Sequence, residues 1–207
     1  AAALGSGAVV SKTFSVVPAS DPRPTMKKTA GGGLLNCETW LEDTYDNFLK
    51  ELKAVKRRTD DSGTGENIPL IVSIGYSAKD VDFLGRLLEA EIKPDAIEFS
   101  THYTGHDIKP LIDVAEALKN AVSVPVWMKV SPGFPALEEL VQAADPFVDA
   151  FVAVNSFGPA LDFNPERCRK SLGSDWGQGW LSGPPLMPIA LGIVCRLSRL
   201  IKKPIIG

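Results

Sequence analysis

Several things are scarce in this 207-residue chain, and each scarcity excludes something. Its three cysteines, Cys37, Cys168 and Cys195, lie far apart and form no Cys-x-x-Cys pair. An odd, scattered set is no disulfide framework and fits a reducing cytoplasm. It also argues against a structural zinc or iron–sulfur centre. Net charge is only −3, which gives no footprint for binding nucleic acid or an anionic membrane. No apolar run reaches the roughly 20 residues that span a bilayer. Residues 1–7 lack the positive start of a signal peptide. Histidine is confined to His102 and His106.

What remains is the mix of a soluble globular domain, 44% hydrophobic and 23% charged, and long enough to bury one sizeable core. Short apolar, β-branched runs at residues 7–13, 68–75, 96–102, 124–131, 150–156 and 204–207 read as strands. Several are apolar on both faces, as in a buried parallel sheet. Amphipathic helices fall between them, at 40–55, 77–91, 107–122, 136–144 and 188–203. Ser77 and Asp80 stand in capping-box spacing at the head of the second helix.

The internal strands begin at Ile68, Ala96, Val124 and Ala150, the spacing of serial βα units, so a parallel sheet is expected. An open doubly wound sheet is the alternative. Polar residues at successive strand ends (Lys12, His102, Lys129 with Ser131, Asn155 with Ser156) favour an α/β fold of the (β/α)8 TIM-barrel type, whose mouth gathers such ends. About eight strands make a full barrel, so the expectation is one partial TIM-barrel domain over residues 1–207, incomplete at both ends. The stretches 18–38 and 157–183 read as long loops on the mouth side, rich in glycine.

Lys12 and Lys129 follow apolar strand residues. A lysine there must meet an anion or an electron-rich ligand to offset its desolvation. A flavin ring suits, because a cation near its N1–O2 edge stabilises the reduced anion. Snorkelling to solvent, or pairing with a carboxylate such as Glu98, is the alternative, and the occurrence of two such lysines tilts toward a ligand. Asn155 and Ser156 offer an amide and a hydroxyl to ring heteroatoms, or form a strand-ending turn. Bare N–H groups in the stretch 179–183 can contact a flavin or a phosphate. His102, Tyr103 and His106 share one loop and can transfer a proton. A metal pair of the two histidines is opposed by Gly105; the plainer reading has Asp107 capping the next helix and His106 solvated. Cys37 reads as structural.

Taken in order, Gly7-Ala8-Val9-Val10-Ser11-Lys12-Thr13, Asp21-Pro22-Arg23-Pro24, Ala96-Ile97-Glu98, Val126-Trp127-Met128-Lys129-Val130-Ser131-Pro132, Val154-Asn155-Ser156 and Leu181-Ser182-Gly183 followed by Pro188-Ile189-Ala190-Leu191 resemble the dihydroorotate dehydrogenase family, including the related catalytic domain of dihydropyrimidine dehydrogenase. The resemblance runs over nearly the whole chain. It implies an FMN-binding barrel that moves a hydride between flavin and a carbon–carbon bond. Lys12, Thr13, Lys129, Asn155, Ser156 and Gly183 would then lie against the cofactor, with Ser156 also near substrate. It implies a small-molecule substrate, with an electron-transfer partner or a homodimer.

The departures are as informative. The family's Asn-x-Ser-Cys-Pro-Asn loop, whose cysteine (serine in some members) acts as base, is here Ser100-Thr101-His102-Tyr103-Thr104-Gly105. The Asn-Ser-Met-Gly type of loop becomes Ala30-Gly31-Gly32-Gly33-Leu34-Leu35-Asn36 and keeps only Asn36. The family's glycine-rich phosphate loop would fall beyond Gly207. The flavin side thus reads as kept and the pyrimidine side as rebuilt, which disfavours dihydroorotate itself. Tyr103, with His102 or His106, is the natural replacement acid. The rival expectations are a non-catalytic scaffold subunit with a degenerate barrel, and a flavin-free lyase or metal enzyme using His102 and His106.

Overall fold

The computed structural model describes residues 6–29, 31–60, 67–100, 105–166 and 169–207. In chain order the elements are β1 (Val9–Val10), β2 (Met26–Lys28), β3 (Leu34–Asn36), α1 (Tyr45–Asp60), β4 (Leu70–Ile74), α2 (Ala78–Glu91), β5 (Ala96–Ser100), α3 (Lys109–Ala121), β6 (Val126–Val130), α4 (Leu137–Ala144), β7 (Ala150–Ala153), β8 (Phe157–Leu161), β9 (Phe163–Asn164), β10 (Arg169–Lys170), β11 (Gln178–Ser182), α5 (Met187–Leu200) and β12 (Ile205–Ile206).

Six strands form one sheet in the order β1-β4-β5-β6-β7-β12, every pair parallel. This is a half-barrel, and its six strands lie within the six runs read from the sequence. Alternation sorts the side chains. Val72, Ile74, Ile97, Phe99, Val126, Met128, Val130 and Phe151 join one core with Val81, Leu84 and Leu88 of α2, Leu111, Ala115 and Leu118 of α3, Leu140 and Val141 of α4, and Ile193 and Leu197 of α5. The intervening residues Ser73, Glu98, Ser100, Trp127, Lys129 and Val152 occupy the opposite, barrel-inner face.

Local signals set the helix ends. Ser77 and Asp80 form the expected capping box before α2. The Lys109 N–H donates to Asp107 Oδ1 at 2.9 Å before α3. The first helix departs from its expected start at residue 40. Leu41 N donates to Thr13 O and Ala19 N to Leu41 O, so residues 39–41 are tied to the segment after β1. The helix starts later, where Thr44 Oγ1 accepts from Asn47 N, an N-cap contact missed in the sequence.

The strand-start end of the sheet carries a repeated clamp. Asp95 N donates to Leu70 O while Asp95 Oδ2 accepts from Leu70 N at 2.8 Å. Asp149 repeats this on Val126, at 2.7 and 2.8 Å. Lys56 of α1 and Lys119 of α3 supply the counter-charges. Burial pushes the Asp149 carboxyl up, but Lys119 and the Val126 N–H outweigh it and the net shift is down; Asp95 behaves likewise through Leu70 N and Lys56.

The two stretches read as loops hold a second sheet, antiparallel, in the order β2-β3-β11-β8. They leave the C-terminal ends of β1 and β7, so this sheet sits on the mouth side of the half-barrel. The Gly31-Gly32-Gly33 run serves its hairpin turn, closed by Thr29 N to Gly33 O and Gly33 N to Thr29 Oγ1, with Gly32 at φ +77°. A separate small core of Leu35, Cys37 and Leu172 holds the rim together. Cys37 is buried there, its Sγ facing the carbonyls of Pro22 and Pro24, which bears out a structural role.

Candidate functional site

The barrel mouth brings together polar groups from five strand ends. Thr13, following β1, lies 2.8 Å from Ser73 Oγ of β4. Ser73 Oγ donates to Glu98 Oε1 of β5 at 3.0 Å. Ser100 ends β5 in register with Lys129 of β6, and Lys129 with Val152 of β7. Asn155, just after β7, donates from Nδ2 to Ser100 Oγ at 3.2 Å, spanning the β6 row, and its backbone N–H bonds Val130 O. Its Oδ1 accepts from Ser156 N, so the amide is held at both ends. The sheet places these residues on consecutive strands, which the spacing alone had implied.

Lys12 has a different setting. It pairs with Glu38 at 3.2 Å, not with Glu98, and lines a cleft of about 490 Å³ with Asp21, Trp40, Glu42 and Asp43. The Lys12 side chain is 43% exposed, so this pair contributes little and separates readily. The Asp21 N–H and the Arg23 guanidinium hold the Glu42 carboxyl below its ordinary range. Trp40 is fixed by a 2.7 Å bond from Nε1 to Val17 O and stacks, tilted, on Tyr76 after β4.

Gly183 adopts φ +90° at the end of β11 and packs on the hairpin turn, where a Cβ would meet Gly33 Cα at 3.4 Å. The stretch before it is not a bare loop. Residues 178–182 form the central strand β11, flanked by β3 and β8, so their backbone groups face sheet partners. That corrects the expectation of free N–H groups over residues 179–182. Asn36 sits in β3 and donates to Trp180 O at 3.3 Å. His106 is exposed before α3. His102 and Tyr103 lie outside the described residues.

Three participants escaped the sequence reading: Glu38, Ser73 and Ser100. Ser73 had a signal, being the one polar residue in the strand Leu-Ile-Val-Ser-Ile. Glu38 had none, because its contact with Lys12 crosses 26 residues. Among the described residues, no group of three or more His, Cys, Asp or Glu is placed to hold a metal. No described helix is long and apolar enough to cross a membrane.

The fold and mouth define a TIM-barrel-type α/β protein with a polar site at its strand ends. A crystal structure of DHODH from Eimeria tenella in complex with ferulenol superposes with a TM-score of 0.70, covering 91% of this chain and 59% of that one at 13% identity, which speaks for the fold. No family model matches the chain. Curated relatives do. The dihydroorotate dehydrogenase B (NAD(+)) catalytic subunit of Methanothermobacter thermautotrophicus is 29% identical over 214 residues, covering 98% of this chain and 67% of the relative. The protein of that name from Methanosarcina mazei is 32% identical over 217 residues, covering 98% and 65%. The chain is similar to dihydroorotate dehydrogenase catalytic subunits over nearly its whole length, and it spans about two thirds of the length of these relatives.

Proposed function

We propose that this chain forms the flavin-binding core of an FMN-dependent oxidoreductase of the dihydroorotate dehydrogenase superfamily, acting on a carbon–carbon bond of a pyrimidine-like or other small substrate. The observation that carries the reading is the polar row of Thr13, Ser73, Ser100, Lys129, Asn155 and Ser156 on consecutive strand ends of the half-barrel.

These groups suit an isoalloxazine ring. Its edge carries carbonyl oxygens and ring nitrogens that accept from cations and amides, and an imide N–H that needs an acceptor. Bound FMN would supply the hydride acceptor and donor at N5. The protein's own part is positioning and charge. Lys129 lies on the barrel-inner face, where its ammonium favours electron density on the ring. Lys12 can join it by leaving Glu38. Asn155, held by Ser100 and Ser156 N, presents its remaining N–H in one orientation. Gly183 lets backbone approach closely, because no Cβ intervenes.

The proton that accompanies hydride transfer falls to Tyr103, assisted by His102 or His106. Rebuilding of that loop disfavours dihydroorotate as the substrate. The relatives' description as NAD(+)-linked catalytic subunits supports an electron-transfer partner subunit for this chain, with a homodimer as the other arrangement; the three scattered cysteines fit a cytoplasmic setting. The test is direct. The intact protein should be yellow and release FMN on denaturation, or take up added FMN with quenching of its fluorescence. A colourless protein that fails to bind FMN refutes the reading.

A further inference from the structure

The inner face of the half-barrel holds an acid that the flavin reading does not use. Glu98 is 3% exposed and Ser73 1%. A carboxyl this deep is costly unless hydrogen bonds compensate it. The described bond is to Ser73, and it has a direction. A serine hydroxyl has one proton, and Ser73 gives it to Glu98 Oε1 at 3.0 Å. The 2.8 Å contact between Ser73 Oγ and Thr13 Oγ1 therefore needs its proton from Thr13. With that proton committed, the Thr13 oxygen can only accept. Neighbouring groups hold the same sense. Ser11 Oγ accepts from Ser73 N and gives its own proton to Lys12 O, so it cannot reverse the relay.

We propose that Glu98 and Ser73 are positioning residues that fix Thr13 as a pure hydrogen-bond acceptor at the barrel mouth, so that a bound ligand must offer it a donor such as the imide N–H of an isoalloxazine. The proposal rests on the flavin reading for the identity of that donor. The relay itself stands on this chain's geometry. It gives a physical reason for an acid buried beneath a site that binds through its hydroxyls and amides: the acid sets polarity at a distance, two hydroxyls away from the ligand. A ring edge that offers only acceptors to Thr13 would face oxygen lone pairs and be rejected.

The test is a double-mutant cycle on the intact protein, read by FMN affinity from fluorescence quenching. Glu98→Met keeps much of the volume, removes the acceptor and lets Ser73 turn its proton toward Thr13. It should weaken FMN binding about tenfold, as should Thr13→Val. The double variant should be no weaker than either alone. A Glu98→Met loss that persists undiminished in the Thr13→Val background, or no loss at all, overturns the proposal. If Glu98→Met does not fold, Ser73→Ala enters the cycle in its place. A ligand-free measurement separates this from the flavin reading. Three-bond couplings to the Thr13 methyl should report one χ1 rotamer in the native protein and averaging in Ser73→Ala. Averaging in the native protein, or an unchanged rotamer in the variant, refutes the relay whether or not FMN binds. A locked native rotamer without FMN uptake refutes the flavin reading alone.

Discussion

Replacing Gly173 with alanine should open the rim over the mouth without unfolding the barrel. Gly173 is where the stretch before β11 meets the stretch before β2. A Cβ placed there would lie 2.2 Å from Arg23 O and 2.4 Å from Arg23 C, both backbone atoms that no rotamer change can move. Restoring an ordinary contact means parting the two segments by about 1 Å. That breaks the 2.9 Å bond from Gly173 N to Pro24 O, worth about 0.5–1.5 kcal/mol net. It also unseats Leu172, 1% exposed against Leu35 and Cys37, at a cost of about 1.5–3 kcal/mol. The rim should lose roughly 2–4 kcal/mol. Its small core is separate from the sheet–helix core, so the loss should stay local. Exposed Arg169 and Lys170, in this stretch, are natural trypsin sites. If cleavage tracks the open population, its rate should rise about 30- to 1,000-fold. The urea midpoint followed by helical circular dichroism should barely move. Unchanged proteolysis, or rim and barrel failing together, would refute the claim of two separately held layers.

Other expectations follow from the fold and the mouth. Leu118→Ala, at a fully buried position packed beside Gly85 between α2 and α3, should cost about 2–5 kcal/mol in urea unfolding. The carboxyls of Asp95 and Asp149 are held below their unfolded value near 3.8, so the stability they add is present above that pH and lost as pH falls through their folded values. Asp149→Asn should therefore flatten the fall of Tm below about pH 4, and an unaltered acid limb would remove Asp149 from the clamp. Lys129→Met should weaken FMN uptake while leaving the urea midpoint within about 1 kcal/mol of native; a collapse of stability instead would mark Lys129 as structural.

The barrel strands were legible and the rim was not, for a physical reason. A strand buried between a helix layer and a barrel interior must be apolar along most of its length, so β4 to β7 announce themselves as runs. The rim strands bury little. Met26, Lys27 and Lys28 of β2 are all exposed, and β8 contains Gly158 and Pro159, residues that speak against a strand. What makes β8 and β11 strands is the partner across the loop, with Gly158 and Gly179 admitting close backbone: a Cβ on Gly179 would stand 2.4 Å from Asn36 O. The same division runs through the site. Lys12, Lys129 and Asn155 were visible because a polar residue ending an apolar run stands out locally. Ser73 and Glu98 sit inside their runs, and their meaning depends on register: Ser73 opposite Glu98, and Thr13 reaching Ser73 across 60 residues. Polarity of a hydroxyl relay is a property of the paired strands, so a one-residue slip of β5 against β4 would move Glu98 from Ser73's side and leave Thr13 free to donate.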